Sequence, residues 1–182
     1  MTNPTNFRQR AMYGVVGVML SLLLLSGMGR ELIAADWETY TSDEGRFLAK
    51  FPGKVSVKRG ANATHFSASP EGVDADFRVA ITDRPASDEN LEAAFKELKR
   101  IRQATAEGQM IELEEELDYL FAGLPACRFS FLKKVDDNVA ARYHAIYILD
   151  GKRFYQLMCG FDSKMPLKED MDIFFKSFRI TK

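Results

Sequence analysis

A stretch of nineteen residues without a charged side chain, residues 11–29, most constrains how this 182-residue chain can be organised. Two arginines precede the stretch, no acidic residue occurs in the first ten positions, and small residues close it. Such a pattern is typical of a secretory signal peptide, with Ala34 or Ala35 before the cleavage site. At about 1.5 Å per residue the stretch also reaches about 28 Å, enough for an uncleaved membrane anchor. Residues 1–35 are therefore predicted to be a signal peptide or an N-terminal membrane anchor.

The basic head also predicts on which side of a membrane the rest of the chain lies. Arg8 and Arg10 are expected to stay in the cytoplasm by the positive-inside rule, which places the downstream residues outside it. No cysteine directly follows the apolar stretch, which argues against a lipoprotein anchor. Residues 36–182 are therefore predicted to form one extracytoplasmic domain, periplasmic or secreted. It would contact a membrane only through residues 11–29, if these are not cleaved.

The composition of the remaining residues excludes several classes of protein. The first 35 residues contain three arginines and one glutamate, so without them the formal charge changes from −1 to −3. A mildly acidic domain is a poor binder of nucleic acid, because that affinity comes mainly from clustered lysine and arginine. The chain has 14 Phe but only 12 Gly and 6 Pro. This abundance of large apolar side chains excludes disordered and low-complexity classes.

Alternating apolar and polar residues predict strands over much of the domain. The strands are predicted at residues 37–41, 46–51, 54–57, 64–69, 74–82, about 127–134, 140–149 and 153–161. The first two flank a turn at residues 42–45 and form a hairpin. The last two are joined at Asp150-Gly151, a favoured hairpin dipeptide because its glycine tolerates a positive φ.

Two helices are predicted from apolar residues that recur three or four positions apart. The first places four side chains on one face: Leu91, Phe95, Leu98 and Ile101. Ser87 or Asp88 is expected to cap its start, and Gly108 to lie just past its end. The second is a short amphipathic helix over residues 166–177, with three side chains facing inward: Met171, Phe174 and Phe175.

Residues 109–121 fit two patterns, and the choice decides the predicted shape of an acidic surface. Leucines at the spacing of a helix compete with a period-two alternation in which only Glu115 is out of place. Period two has the better count, so a strand is predicted, with one face formed by Glu112, Glu114, Glu116 and Asp118. Together with the other elements this predicts one α+β domain, an antiparallel sheet with helices packed on it.

The order of the elements resembles the PsbP-like (PsbP/Mog-type) domains, including exported bacterial members of unknown function. The resemblance spans roughly residues 37–180. It is carried by turn and packing motifs: Trp37 at the start of a hairpin, Gly45-Arg46-Phe47, Phe51-Pro52-Gly53, Gly123-Leu124-Pro125-Ala126 and Phe174-Phe175-Lys176-Ser177-Phe178. The resemblance implies an α/β/α sandwich. It also implies binding or assembly roles, as in photosystem accessory subunits and a small-GTPase cofactor, and it transfers no site residue.

The two cysteines are predicted to be buried, unpaired thiols. A turn at Asp150-Gly151 sets Cys159 opposite Arg142, and the preceding hairpin sets Cys127 opposite Tyr147 to Leu149. The two would then lie about five or six residues apart along non-adjacent strands, whereas a disulfide needs Cα atoms within about 7 Å.

No catalytic, cofactor or metal site is predicted. Neither His65 nor His144 has a second ligand nearby in the sequence, and zinc needs three or four. A Cys127–His144 nucleophile pair would need the strand register to bring both together. No nucleophile, metalloprotease, phosphate-loop or dinucleotide motif occurs.

The acidic face could attract Ca²⁺ or a basic partner. Calcium draws six to eight oxygens from a curved loop, which a strand does not offer. A solvated face is therefore favoured, or a face paired with basic residues of the preceding helix: Lys96, Lys99, Arg100 and Arg102. The loop at residues 58–62, with Lys54, is a small basic rim on the same domain.

These observations predict an exported, noncatalytic accessory or binding domain that engages a protein partner at the cell envelope. Its expected contact surfaces are the exposed sheet face and the loops at residues 58–62 and 135–138. The alternative is a small-molecule binding protein or a hydrolase that uses a cleft between sheet and helices.

Overall fold

The computed structural model describes residues 36–72, 74–84, 90–109, 111–134, 140–162 and 168–182. The predictions for residues 1–35, for a helix cap at Ser87 or Asp88 and for the loop at residues 135–138 lie outside these ranges. Within them, no helix is both long enough and apolar enough to cross a membrane.

The described residues form ten strands and two helices, which confirms the predicted α+β class. The strands are β1 (Trp37–Ser42), β2 (Phe47–Pro52), β3 (Ser56–Arg59), β4 (Thr64–Ala68), β5 (Ala75–Asp83), β6 (Glu112–Phe121), β7 (Leu124–Lys134), β8 (Ala140–Asp150), β9 (Arg153–Asp162) and β10 (Arg179–Ile180). The helices are α1 (Leu91–Gln109) and α2 (Lys168–Ser177).

The strands make two antiparallel sheets in place of the single sheet expected from the sequence. A three-stranded sheet has the order β1-β2-β10, and a seven-stranded sheet has the order β3-β4-β5-β9-β8-β7-β6. The hairpins from β6 to β9 fold back so that β9 pairs with β5. Helix α1 packs on one face of the large sheet, called the back, and the small sheet with α2 packs on the other, called the front.

Aromatic side chains fill the front core. Six phenylalanines here are essentially inaccessible to solvent: Phe47, Phe51, Phe66, Phe77, Phe174 and Phe178. Phe174 of α2 lies 5.4 Å from Phe51 and 5.5 Å from Phe77 between ring centroids, both edge-to-face. Met171 and Phe175 of α2 are buried with it, as predicted. The large apolar rings therefore join the two sheets and α2 into one core.

The back core is smaller and is covered by α1. Leu98 of the helix is fully buried against a cluster that includes Phe129 and Tyr147. Asn90 caps the helix, because its Oδ1 accepts the Ala93 backbone N–H at 3.0 Å. The predicted helix end at Gly108 is wrong: Gly108 does not adopt the positive φ of a helix-ending glycine, and the helix continues to Gln109.

The hairpin between β8 and β9 differs by one position from its predicted turn. Asp150 pairs with Arg153, so the two turn residues are Gly151 and Lys152. Gly151 has φ 55°, which suits the first central position of a type II′ turn, where glycine is preferred. As a result Cys159 lies opposite His144, and its predicted position opposite Arg142 is wrong.

Candidate binding surface

Strand β6 forms one outer edge of the seven-stranded sheet in the described part of the chain. It is a strand, as the period-two pattern predicted, but its register with β7 breaks between Glu114 and Leu117. Glu115 sits in this break with φ 46°, a left-handed conformation that is uncommon for a residue other than glycine. The break is a β-bulge, which places an extra residue in one strand.

The bulge divides the acidic residues between the two faces of the sheet. Glu114 lies on the front, where its carboxylate pairs with Arg142 of β8. Glu116 and Asp118 lie on the back, where both contact α1. The predicted single acidic face of Glu112, Glu114, Glu116 and Asp118 is therefore wrong, because the extra residue reverses the alternation beyond it.

Arg102 of α1 holds the second half of β6 against the helix. Its side chain is only 4% exposed, and its guanidinium lies 2.5 Å from Glu116 Oε2 and 3.1 Å from Asp118 Oδ1. The predicted pairing of the acidic strand with the preceding helix thus holds for Arg102. Arg100 instead pairs with Glu97 on its own helix.

His144 lies on the front face of β8, close to the charged groups around the bulge. Burial lowers the pKa of its imidazole, and the nearby Arg128 and Arg142 lower it further, while Glu115 and Glu114 oppose them. The side chain is half-buried. Its surroundings therefore favour the neutral form of the imidazole, as expected for a packed strand residue.

The two thiols lie on opposite faces of the sheet. Cys127 pairs across the strands with Tyr147 in the back core, and Cys159 pairs with His144 on the front. Both are buried and free. Burial raises the pKa of Cys127 to about 11 and also raises the pKa of Cys159. The Cys127–His144 pair does not form, because the sheet separates the two side chains.

Residues 60–62 of the predicted basic rim line a cavity of mixed charge, and the basic residues Lys58 and Arg59 lie beside it. Arg59 of the rim pairs with Glu44 at 2.7 Å, so its charge is compensated. The cavity beside it measures about 430 Å³, and its walls include Thr64, Asp83 and Arg153. Arg153 donates hydrogen bonds to Asp83 Oδ1 and to the Glu44 backbone oxygen, each at 2.9 Å.

Sequence reasoning missed the cavity for a simple reason. Its walls come from the turn after β1, the loop after β3 with the β4 strand that follows it, and the strands β5 and β9, which are far apart in the chain. Only the basic loop carried a local signal. Across the described ranges, no group of three or more His, Cys, Asp or Glu side chains could hold a metal ion.

Comparison with solved structures identifies the fold. The chain is similar to the solution structure of cyanobacterial PsbP (CyanoP) from Synechocystis sp. PCC 6803, with a TM-score of 0.62 and 18% sequence identity. The match covers 85% of this chain and 97% of that chain. A structure from Bacteroides thetaiotaomicron VPI-5482 matches at 14% identity and a TM-score of 0.49, over 80% of this chain and 49% of that one.

No family model matches the sequence, and no curated protein does. The likeness to the cyanobacterial structure is therefore a likeness of fold. The chain has a PsbP-like fold, as the order of its elements and its turn motifs had implied.

Proposed function

We propose that residues 36–182 are a noncatalytic accessory or binding domain that engages a protein partner outside the cytoplasm. The observation that carries the proposal is the exposed edge strand β6. The strand is ten residues long, and Arg102 holds it against the helix. Its Leu117 and Leu120 are nevertheless 59% and 52% exposed. An edge strand of this length, with unpaired backbone groups and exposed leucines, is a docking edge to which another chain can add a strand.

Further observations support the proposal. The apolar stretch at residues 11–29 favours export, and the fold is that of a cyanobacterial PsbP. The reactive side chains that the sequence offered, Cys127 and His144, lie on opposite faces of the sheet. The charged groups around the bulge are engaged mainly in ion pairs with one another.

Affinity capture of the full chain, with its native N-terminus, from envelope fractions tests this function. We expect a stoichiometric complex that re-forms when the two purified proteins are mixed. Recovery of the chain alone, as a monomer, under conditions that preserve other envelope complexes would contradict the proposal.

The cavity beside Arg59 supports a second candidate, a binding protein for a small polar molecule. Its volume of about 430 Å³ lies within the range of ligand pockets, and its walls offer hydroxyl, carboxylate and guanidinium groups. Thermal-shift screening of polar metabolites tests it. A stabilising ligand should lose its effect in Thr64→Val but not in Glu71→Gln, which changes an exposed turn; no stabilising ligand would contradict this candidate.

A further inference from the structure

The free edge of β6 combines unpaired backbone groups with an uneven distribution of charge. In the described part of the chain β6 pairs with β7 alone, so its outer side presents N–H and C=O groups without a partner strand. Glu112 and Glu115 are exposed and form no ion pair with a described side chain. An edge of this kind binds an extended peptide by adding it as a further strand.

The charge around β6 is negative even after its ion pairs are counted. The strand carries five carboxylates, at Glu112, Glu114, Glu115, Glu116 and Asp118. Three guanidinium groups lie near them: Arg102, Arg142 and Arg128 of β7. Glu114 pairs with Arg142, and Glu116 and Asp118 pair with Arg102. Glu112 and Glu115 form no ion pair with a described side chain, which favours a positively charged occupant.

A second copy of the chain is a poor occupant for this edge. Two β6 strands side by side would bring their acidic residues against one another, and like charges across a strand pair are destabilising. The opposite edge, β3, is basic but only four residues long.

The two halves of β6 differ in the side chains that they offer. Before the bulge and within it, the exposed groups are the carboxylates of Glu112 and Glu115. Beyond it Leu117 is exposed on the front face and Leu120 on the back. An added strand would therefore meet carboxylates without an ion pair at one end, and at the other the two leucines beside Glu116 and Asp118, which are paired with Arg102.

We propose that β6 docks a basic extended segment of a partner protein by strand addition. The segment carries lysine or arginine side chains opposite Glu112 and Glu115, and apolar side chains beside Leu117 and Leu120. This inference rests on the proposed function and specifies where and by what chemistry the partner binds.

Site-specific photo-crosslinking in the full chain tests this docking mode. A photoreactive amino acid replaces Glu115 in one variant and Glu71, an exposed turn residue, in the control. We expect crosslinks from position 115 to a partner segment that contains both basic and apolar residues, and none from position 71. The crosslinked segment is then made as a synthetic peptide, with and without N-methylation of alternate backbone amides.

Charge-reversal variants test whether peptide binding depends on the carboxylates of the edge or only on the net charge of the protein. Glu112→Lys/Glu115→Lys should weaken binding of the peptide by about tenfold, whereas Glu71→Lys/Glu107→Lys, with the same change in net charge, should change it less than about twofold. N-methylation should abolish binding, because strand addition needs the peptide's N–H donors. Leu120→Ser, at an exposed position, provides a second variant that keeps all charges. Thermal unfolding checks that each variant is folded.

The possible outcomes distinguish this inference from the proposed function. A partner that is captured but still binds the charge-reversed variant, or that crosslinks from position 71 and not from position 115, overturns docking at β6 and leaves the proposed function standing. Crosslinks between copies of the chain at position 115 overturn the choice of occupant. Absence of any partner in either experiment overturns both proposals.

Discussion

The front core and the edge strand β6 are stabilised by different interactions. The front core consists of interlocking aromatic rings, six of them from phenylalanines inaccessible to solvent. No residue of β6 is fully buried, and the guanidinium of Arg102 ties the strand to α1. The fold and the exposed edge therefore depend on separate residues, so each can be perturbed without the other.

The largest effect is expected from a truncation in the front core. Phe174→Ala should reduce the free energy of unfolding by about 3–5 kcal/mol, because it leaves a cavity among Phe51, Phe77 and Phe175. Urea denaturation measures the loss. Leu120→Ala on β6 is the control and should cost under about 0.5 kcal/mol, since that side chain is half exposed. Equal costs would refute the contrast between core and edge.

A smaller effect is expected when the edge loses its buried guanidinium. Arg102→Met should cost about 2 kcal/mol, less than a fully buried ion pair, because the side chains of Glu116 and Asp118 are each 43% exposed and can be rehydrated. Hydrogen exchange should accelerate in β6 before it does in β5 or β9. Arg100→Met, whose partner is Glu97 on the same helix, should cost less than about 0.5 kcal/mol. Uniform acceleration across the sheet would show that β6 is not a separate unit.

The next effect is a dependence of stability on pH that arises beside the bulge. The pKa of His144 is lowered in the folded state, chiefly by burial, so the unfolded chain takes up more protons as the pH falls. Stability should therefore decrease from pH 7.5 to pH 5, through the ordinary histidine range near 6.5, by less than the Arg102→Met loss. Denaturant titrations at both pH values should show a smaller decrease in His144→Gln. An identical decrease in both proteins would assign it to other groups.

The smallest effect is expected at the hairpin that joins β6 to β7. Ala122 and Gly123 have φ values of 49° and 87°, as a type I′ turn requires. Ala122→Asn should raise stability by about 0.5 kcal/mol, since asparagine tolerates the left-handed region better than alanine. The melting temperature should rise by about 1–2 °C, whereas Gly123→Ala should lower it. A loss of stability in Ala122→Asn would exclude backbone strain at this turn.

The same contrast explains which features the sequence could predict. Strands that line the core alternate apolar and polar residues. For this reason β1, β2, β5 and β7 to β9 were predicted close to their actual positions. Strand β6 was also recognised, but its bulge has no glycine to mark it. The only local sign was Glu115, the one acidic residue out of phase with its neighbours.

Other features escaped prediction because they depend on distant parts of the chain. The cavity beside Arg59 is assembled from four separate segments, so no single stretch could reveal it. The register of the β8–β9 hairpin depends on which position of the turn Gly151 occupies, and one residue of difference moved Cys159 from Arg142 to His144. The PsbP-like fold itself could be predicted from the sequence, because its turn and packing motifs are spread along the whole domain.

The three-stranded sheet has a consequence for how the chain acquires its structure. Its central strand β2 belongs to the first hairpin, whereas β10 comes from the last residues. The Thr181 backbone N–H donates a hydrogen bond to the Arg46 backbone oxygen at 2.9 Å. The Lys50 backbone N–H likewise donates a hydrogen bond to Ser177 Oγ at 2.8 Å. Contacts between such distant positions form late, because a long loop must close first. A nascent chain that ends before residue 168 would lack the helix that covers Phe51 and Phe77, so we expect the front core to close only after that helix has been made.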